Sequence, residues 1–329
     1  MGRATQFFMV LGCAVLLHAC GGSGDSAPMA VPPPPAPVQL ALTASNYQDA
    51  FANALETANA AFGFAKLGAD SADRIFNVPL VIPPVVRCPV SGTATIELSD
   101  RNRNGALDEN DSVHIFLTDC NSSVNPLTGV VRVEVVSAAQ IAGGRDYQFN
   151  VTINNLVIAS TVAGIAPVTI NFTGFVDFTR TADLEHYVVS SGEYDFSQAG
   201  QTRSAHDLLV DYLQRHDTLE YDYQVQGSVE GSAIQGRYRV TTPTPLTGLI
   251  GAYPGGGRID LNGGANSSAR LSEEGTAAGN GDTVRISVDT NGDGTAEASV
   301  PELAWSALLP AEFFMWLRDQ AAATVLPLP

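Results

Sequence analysis

Residues 147–154 read Tyr-Gln-Phe-Asn-Val-Thr-Ile-Asn, with a large apolar side chain at every second position. Successive side chains of a strand point to opposite faces, so this stretch buries one face and wets the other. The same period recurs along the chain. Val168, Ile170 and Phe172 alternate with Thr169, Asn171 and Thr173, and Val284, Ile286 and Val288 with Arg285 and Ser287. Leu219, Tyr221, Tyr223 and Val225 form another such set, and Ile234, Tyr238 and Val240 share a face opposite Gln235, Arg237 and Arg239. One-sided burial is what antiparallel sheets permit. Asn262-Gly263, between the runs 258–261 and 265–271, carries a hairpin signal. The expected fold is all-β: a large antiparallel, hairpin-connected sheet, open or half-barrel, of about a dozen strands. Its strand series covers 129–300. A transmembrane barrel would alternate too, but it calls for lipid-facing aromatic girdles.

Outside that series the period is helical. Tyr47, Phe51, Ala54, Leu55, Ala58, Phe62 and Ala65 recur at helical spacing after Ser45-Asn46-Tyr47-Gln48, which has the form of a capping box. Gly68 follows as a C′ residue. An amphipathic N-terminal helix is therefore predicted over 46–67. Residues 69–92, with Pro79, Pro83, Pro84 and Pro89, read as loop or edge. Ala311-Glu-Phe-Phe-Met-Trp-Leu-Arg-Asp-Gln-Ala-Ala, after Pro310, reads as a short C-terminal helix over 311–322.

The 329 residues carry 34 acidic and 17 basic side chains, a net charge of −17. That argues against a nucleic-acid binder, which needs clustered positive charge to displace counterions, so no nucleic-acid partner is expected. No apolar stretch reaches the length of a membrane-spanning helix. Phe7–Leu17 instead has the length of a signal-peptide core, behind Arg3. Leu17-His18-Ala19-Cys20 follows it and resembles the lipobox of bacterial lipoproteins. The resemblance implies loss of residues 1–19, acylation of Cys20 and, with Gly21 rather than Asp after the cysteine, an outer-membrane destination. A second cysteine, Cys13, would leave only Phe7–Leu11 as the apolar core. Removing 1–19 takes away one base and no acid, so the remainder carries −18. Residues 20–39, rich in Gly, Ser and Pro, then form a tether, and 40–329 a single β-rich domain.

Cys88 and Cys120 are the cysteines left in that domain. Export makes a bridge the default. Residue 104 is their midpoint, and it lies between the alternating runs Ala94-Ile96-Leu98 and Val113-Ile115-Leu117. Equal arms folded back on each other place both cysteines at the base of one hairpin, 88–120. Its tip runs from Asp100 through Asn102, Asn104, Gly105, Ala106 and Asp108 to Asp111. This resembles the Asp-x-Asx-x-Asx-Gly calcium loop of EF-hands, with Asp111 where that loop has Glu and strand-like rather than helical flanks. Oxygen ligands two residues apart curl around one ion, and the carbonyl of Ala106 fills the seventh position. Asp289, Asn291, Asp293, Gly294, Thr295 and Glu297 repeat the first nine positions of the pattern, and are similar to the calcium hairpins of β-propeller blades. Structural calcium is the expected cofactor. Asp, Asn and Gly are also ordinary turn formers, and that alternative stays open.

Evidence for catalysis is thin. There is no G-x-S-x-G, no H-E-x-x-H, no P-loop and no dinucleotide fingerprint. His206-Asp207 and His216-Asp217 are neighbours in sequence, and neighbours on a strand face opposite ways. Taken in order, lipobox, proline tether, helix, cystine hairpin, β series and Asn-Gly-Asp-Gly loop before Trp305 resemble an uncharacterised proteobacterial outer-membrane lipoprotein family. The likeness implies a body in the periplasm or on the cell surface, held to the membrane by its lipid. Three functions fit. One is a structural or interaction module of the envelope with an unidentified protein partner. Another is a carrier of apolar ligands in a curved-sheet cavity, and the third a hydrolase built on a carboxylate pair.

Overall fold

The computed structural model describes residues 37–77, 85–104, 108–121, 126–159, 166–273 and 283–308. The chain divides into two compact units, Met1–Ala36 and Pro37–Pro329, and every described residue belongs to the second. Helix α1 spans Tyr47–Asn77 and is followed by strands β1 (Val85–Arg87), β2 (Ser91–Ser99), β3 (Ser112–Asn121) and β4 (Leu127–Ile141). The long central strands are β5 (Gly144–Ile158), β6 (Val168–Thr181), β7 (Leu184–Gln198), β8 (Gln201–Arg215), β9 (Glu220–Gly231) and β10 (Gly236–Leu249). Shorter ones close the series: β11 (Gly256–Asn262), β12 (Ser268–Glu273), β13 (Thr283–Asp289) and β14 (Ala298–Ala304), before the one-turn helix α2 (Trp305–Leu308).

All fourteen strands form one antiparallel sheet in strict sequence order. The sheet is open, with β1 and β14 at its two edges. Both edges are blunted, β1 by its three-residue length and β14 by Pro301, which donates no N–H to a further strand.

Register gathers the alternating residues into rows that no single strand displays. Tyr147, Phe178, Tyr187, Tyr212 and Tyr223 are direct cross-strand partners from β5 to β9. Beside them runs Phe149, Val176, Val189, Val210 and Val225. Both rows are buried, because α1 lies across this face over β4–β9. The helix contributes Phe51, Leu55, Ala58, Phe62, Ala65, Ala69 and Ala72, all fully buried, at alternating steps of four and three. Phe62 meets Tyr212 at 5.0 Å and Tyr187 edge-on at 5.8 Å between ring centroids.

Five local expectations are corrected. The helix runs ten residues beyond 67, so 69–77 are helical rather than loop. Gly68 does not end it: a Cβ there would lie 2.6 Å from Val151 Cγ1, so this glycine marks where the helix backbone rests on the sheet. No capping box forms either, since Ser45 Oγ bonds Thr43 Oγ1 (3.0 Å) and Gln48 donates to Tyr47 Oη (3.2 Å). Asn46 organises this end instead, its side-chain oxygen accepting Thr43 N–H and its amide donating to Ala41 O. Leu219 is 57% exposed at positive φ in the β8–β9 turn, and Ile234 sits in the β9–β10 turn rather than in a strand.

The hairpin at Asn262-Gly263 is present, but Asn262 pairs with Ser268 across a longer loop that contains a 3-10 turn, Gly264–Asn266. Gly263 is needed there because a Cβ would lie 2.2 Å from Leu40 O, where the entering chain crosses the loop. The predicted helix 311–322 lies outside the described residues. Among the described residues, no helix is long and apolar enough to cross a membrane.

Candidate metal loops and a charged cluster beneath the helix

Cys88 and Cys120 form a disulfide, with Cα atoms 5.3 Å apart. Cys88 follows β1 and Cys120 lies in β3, so the bridge joins the base of the β2–β3 hairpin. Val90 N–H to Asn121 O (2.9 Å) closes the same base.

At the hairpin tip, Asn102 donates to Asp108 Oδ2 at 2.7 Å and Asn104 donates to the same oxygen. These two amides hold Asp108 below the ordinary aspartate pKa. Asn104 N–H reaches Asn102 Oδ1 (3.0 Å) and Asp100 Oδ1 (3.3 Å). Asp100, Asn102, Asn104 and Asp108 therefore meet around one small turn. Asp111 does different work. It is 1% exposed, and its two oxygens accept Arg101 N–H and Asp108 N–H, both at 2.9 Å. Its carboxylate ties the loop's ends together. Ala106 lies outside the described residues.

The second loop follows β13. Asp289, Asp293 and Glu297 present carboxylate oxygens within 4.8 Å of one another. Asp289 Oδ1 accepts Gly292 N–H (2.6 Å) and Asn291 N–H (3.2 Å), and its Oδ2 accepts Gly294 N–H (2.8 Å). Desolvation is the largest single influence and works the other way, but these N–H groups and that of Asp293 together outweigh it, and Asp289 titrates below the ordinary value. Asn291 bridges Glu297 Oε1 (2.8 Å) and Asp293 Oδ2 (3.2 Å). Glu297 Oε2 accepts Thr290 N–H (2.6 Å), and Thr295 N–H donates to Asp293 Oδ1 (2.7 Å). The donor set is all hard oxygen, which suits calcium and not a thiolate- or imidazole-seeking metal.

A third constellation went unseen in the sequence. Lys66, the chain's one lysine, is 6% exposed. Its Nζ lies 2.6 Å from Asp70 Oδ2, 2.6 Å from Tyr187 Oη and 3.6 Å from Glu185. Arg180 reaches Asp70 (3.0 Å), Asp73 (2.6 Å) and Glu185 (2.9 Å), and Arg145 also holds Asp73 (3.0 Å). Three cations thus face three carboxylates where the second half of α1 crosses the β5–β7 ends. Tyr187 donates to Asp70 Oδ1 at 2.7 Å. Burial, then Asp70 and Glu185, push its hydroxyl well above the ordinary tyrosine pKa, so it stays a donor. Burial also raises Asp73, against the opposing pull of Arg180 and Arg145. Lys66, Asp70 and Asp73 are spaced four and three apart, one helical face. That was the available signal, and ending the helix at Gly68 hid it.

His186, His206 and His216 find partners across strands rather than along the chain. His186 Nε2 lies 2.8 Å from Asp211 on the face opposite α1. His206 contacts Arg237 (2.7 Å), and His216 bonds Ala182 O (3.0 Å). Beside Asp211, register shifts in β8 and β10 open a groove of about 180 Å³ lined by Leu209, Gln224, Thr242 and Pro243. Set against known protein families, curated proteins and solved structures, the chain matches none.

Proposed function

We propose that the protein is an exported, lipid-anchored scaffold or interaction module of the bacterial cell envelope, with one disulfide and two calcium-closed loops. The observation that carries this reading is the Cys88–Cys120 bridge, because disulfides persist in oxidising compartments and are rare in the cytosol. The signal-like segment 7–17 and Cys20 supply the matching route and anchor. Calcium would be held by Asp289, Asn291, Asp293, Thr295 and Glu297, and in the first loop by Asp100, Asn102, Asn104, Ala106 and Asp108. There it would neutralise carboxylates that otherwise repel.

The packing favours a scaffold over the two other functions. An apolar carrier needs space against the sheet, and α1 fills that face over β4–β9 with its own side chains. A hydrolase needs converging carboxylates free to exchange protons. Asp70, Asp73 and Glu185 converge, but each is engaged by Lys66, Arg145 or Arg180. Fractionation with and without Cys20→Ser tests the proposal. Wild type should sediment with membranes in oxidised form, and Cys20→Ser should move to a soluble fraction. A reduced, uncut chain in the cytosol would overturn it.

A further inference from the structure

The chain enters the body as a short strap. Strand β11 leaves the edge of β10 after Asn262, and residues 38–42 take its place, with Gln39 parallel to Arg237. Arg237 N–H donates to Val38 O (2.8 Å), Leu40 N–H donates to Arg237 O (2.9 Å), and Gly264 N–H donates to Leu40 O (2.7 Å). The hydroxyl of Ser267, a buried residue, accepts Leu42 N–H and donates to Gly264 O, both at 2.7 Å. The seat is cut to backbone dimensions. A Cβ on Gly236 would lie 2.8 Å from Leu40 Cα, as one on Gly263 would meet Leu40 O. Leu40 and Leu42 are buried, and Val38 is exposed.

Behind the strap, in series, lies α1. Residues 43–46 join the two, and there the Asn46 side chain bonds Ala41 O and Thr43 N–H within the segment itself. The two attachments differ in strength. The strap rests on two buried leucines and on the four hydrogen bonds it makes with β10 and the 263–267 loop. The first turns of α1 bury Tyr47, Ala50, Phe51, Ala54 and Leu55. Tyr238 Oη also donates to Ala50 O (2.7 Å) and accepts from the Asn53 amide (3.0 Å). Apolar stabilisation scales with buried area, so the helix is held the more firmly of the two.

We propose that residues 38–42 are a releasable strap: pull on the N-terminal segment parts them from the body as a unit, before α1 or any strand yields. The inference deepens the lipid-anchored reading, because anchor and tether both precede the strap and tension on them reaches the body through it. The strap runs parallel to β10, so pull from its N-terminal end shears its hydrogen bonds together rather than peeling them singly. Release frees residues 38–46 and lengthens the tether by about 30 Å, at about 3.4 Å per residue, while helix and sheet stay in place.

The test pulls single molecules of the full chain in optical tweezers. In the background C13S/C20S/T218C, Cys88 and Cys120 stay bridged, so residue 218 in the exposed β8–β9 turn carries the one free thiol. The N-terminal amine takes the second handle, because Lys66, the chain's one lysine, is buried. Replacing Cys20 removes the proposed anchor, so failure of the anchored reading leaves this outcome unaffected. The first event should be a lengthening of about 30 Å, reversible on relaxation, before any larger step. S267A takes one hydrogen bond from the strap and should open at least about fivefold more often at the same force. G263V fills the seat and should abolish the first step while the later ones remain. If G263V does not fold, S267A carries the comparison alone. A first step of about 50 Å or more, the length of a whole central strand, overturns the proposal, as does an opening frequency unchanged in S267A.

Discussion

Lys66→Met isolates what the charged cluster contributes. The substitution keeps the length and much of the volume of the side chain, and removes one cation from a balanced set of three and three. Breaking a buried ion pair by deleting one partner costs about 3–5 kcal/mol, since the other charge is left without compensation. Here the cost falls near the lower bound, about 3 kcal/mol, because Asp70 keeps Arg180 at 3.0 Å and the Tyr187 hydroxyl at 2.7 Å. Lys66→Met/Asp70→Met restores balance, two cations against Asp73 and Glu185, and should recover about half of the loss. The assay is urea unfolding at constant m-value, arranged as a double-mutant cycle. The coupling between the two sites, the sum of the single costs less the cost of the double, is then at least about 1.5 kcal/mol. A Lys66→Met cost under about 1 kcal/mol, or strictly additive single effects, would refute the idea that the cluster acts as one buried unit.

Other expectations follow from the same geometry. Replacing Cys88 and Cys120 together with serine opens a loop of sequence separation 32, and the chain-entropy relation gives about 3.7 kcal/mol lost, readable by equilibrium unfolding. Free calcium at about 5 mM against chelator should add about 1–2 kcal/mol per occupied loop for dissociation constants near 10⁻⁴–10⁻³ M, and an unchanged melting temperature would remove the metal from both loops. Asp108 and Asp289 titrate below their unfolded value, so the stability they confer is present above about pH 3.9 and lost as pH falls through the folded values. Asp108→Asn and Asp289→Asn should therefore flatten the acid limb of a stability–pH curve. Gly68→Val should cost about 1–3 kcal/mol through overpacking against Val151, where an exposed glycine would gain from the change.

How far the sequence could be read depended on how local each signal was. Period-two runs such as Tyr147–Ile153 mark strands because alternation is written within a few residues, and every apolar member of that run is buried. The cystine was legible because its arms are of equal length on either side of a turn-rich midpoint. Neither signal contains register. The aromatic row from Tyr147 to Tyr223 exists only once five strands are aligned, and the sequence separation between its ends is too great for pattern to show it.

The helix end failed for a related reason. Glycine after an apolar stripe is a good stop signal in isolation. Gly68 instead answers to Val151 across the interface, a partner with no local trace. That one misreading placed Asp70 and Asp73 in a loop, where charges are unremarkable. Kept in the helix, they share the buried side with Phe62, Ala69 and Ala72, and a charged residue on an apolar stripe demands a partner. The partners, Arg145, Arg180 and Glu185, sit near the ends of three strands brought level by the same register that builds the aromatic row. Row and cluster therefore stand or fall together: a one-residue slip of β6 against β7 would carry Arg180 and Phe178 to the outer face at once, leaving Asp73 with Arg145 alone and the rings of Tyr147 and Tyr187 without Phe178 between them.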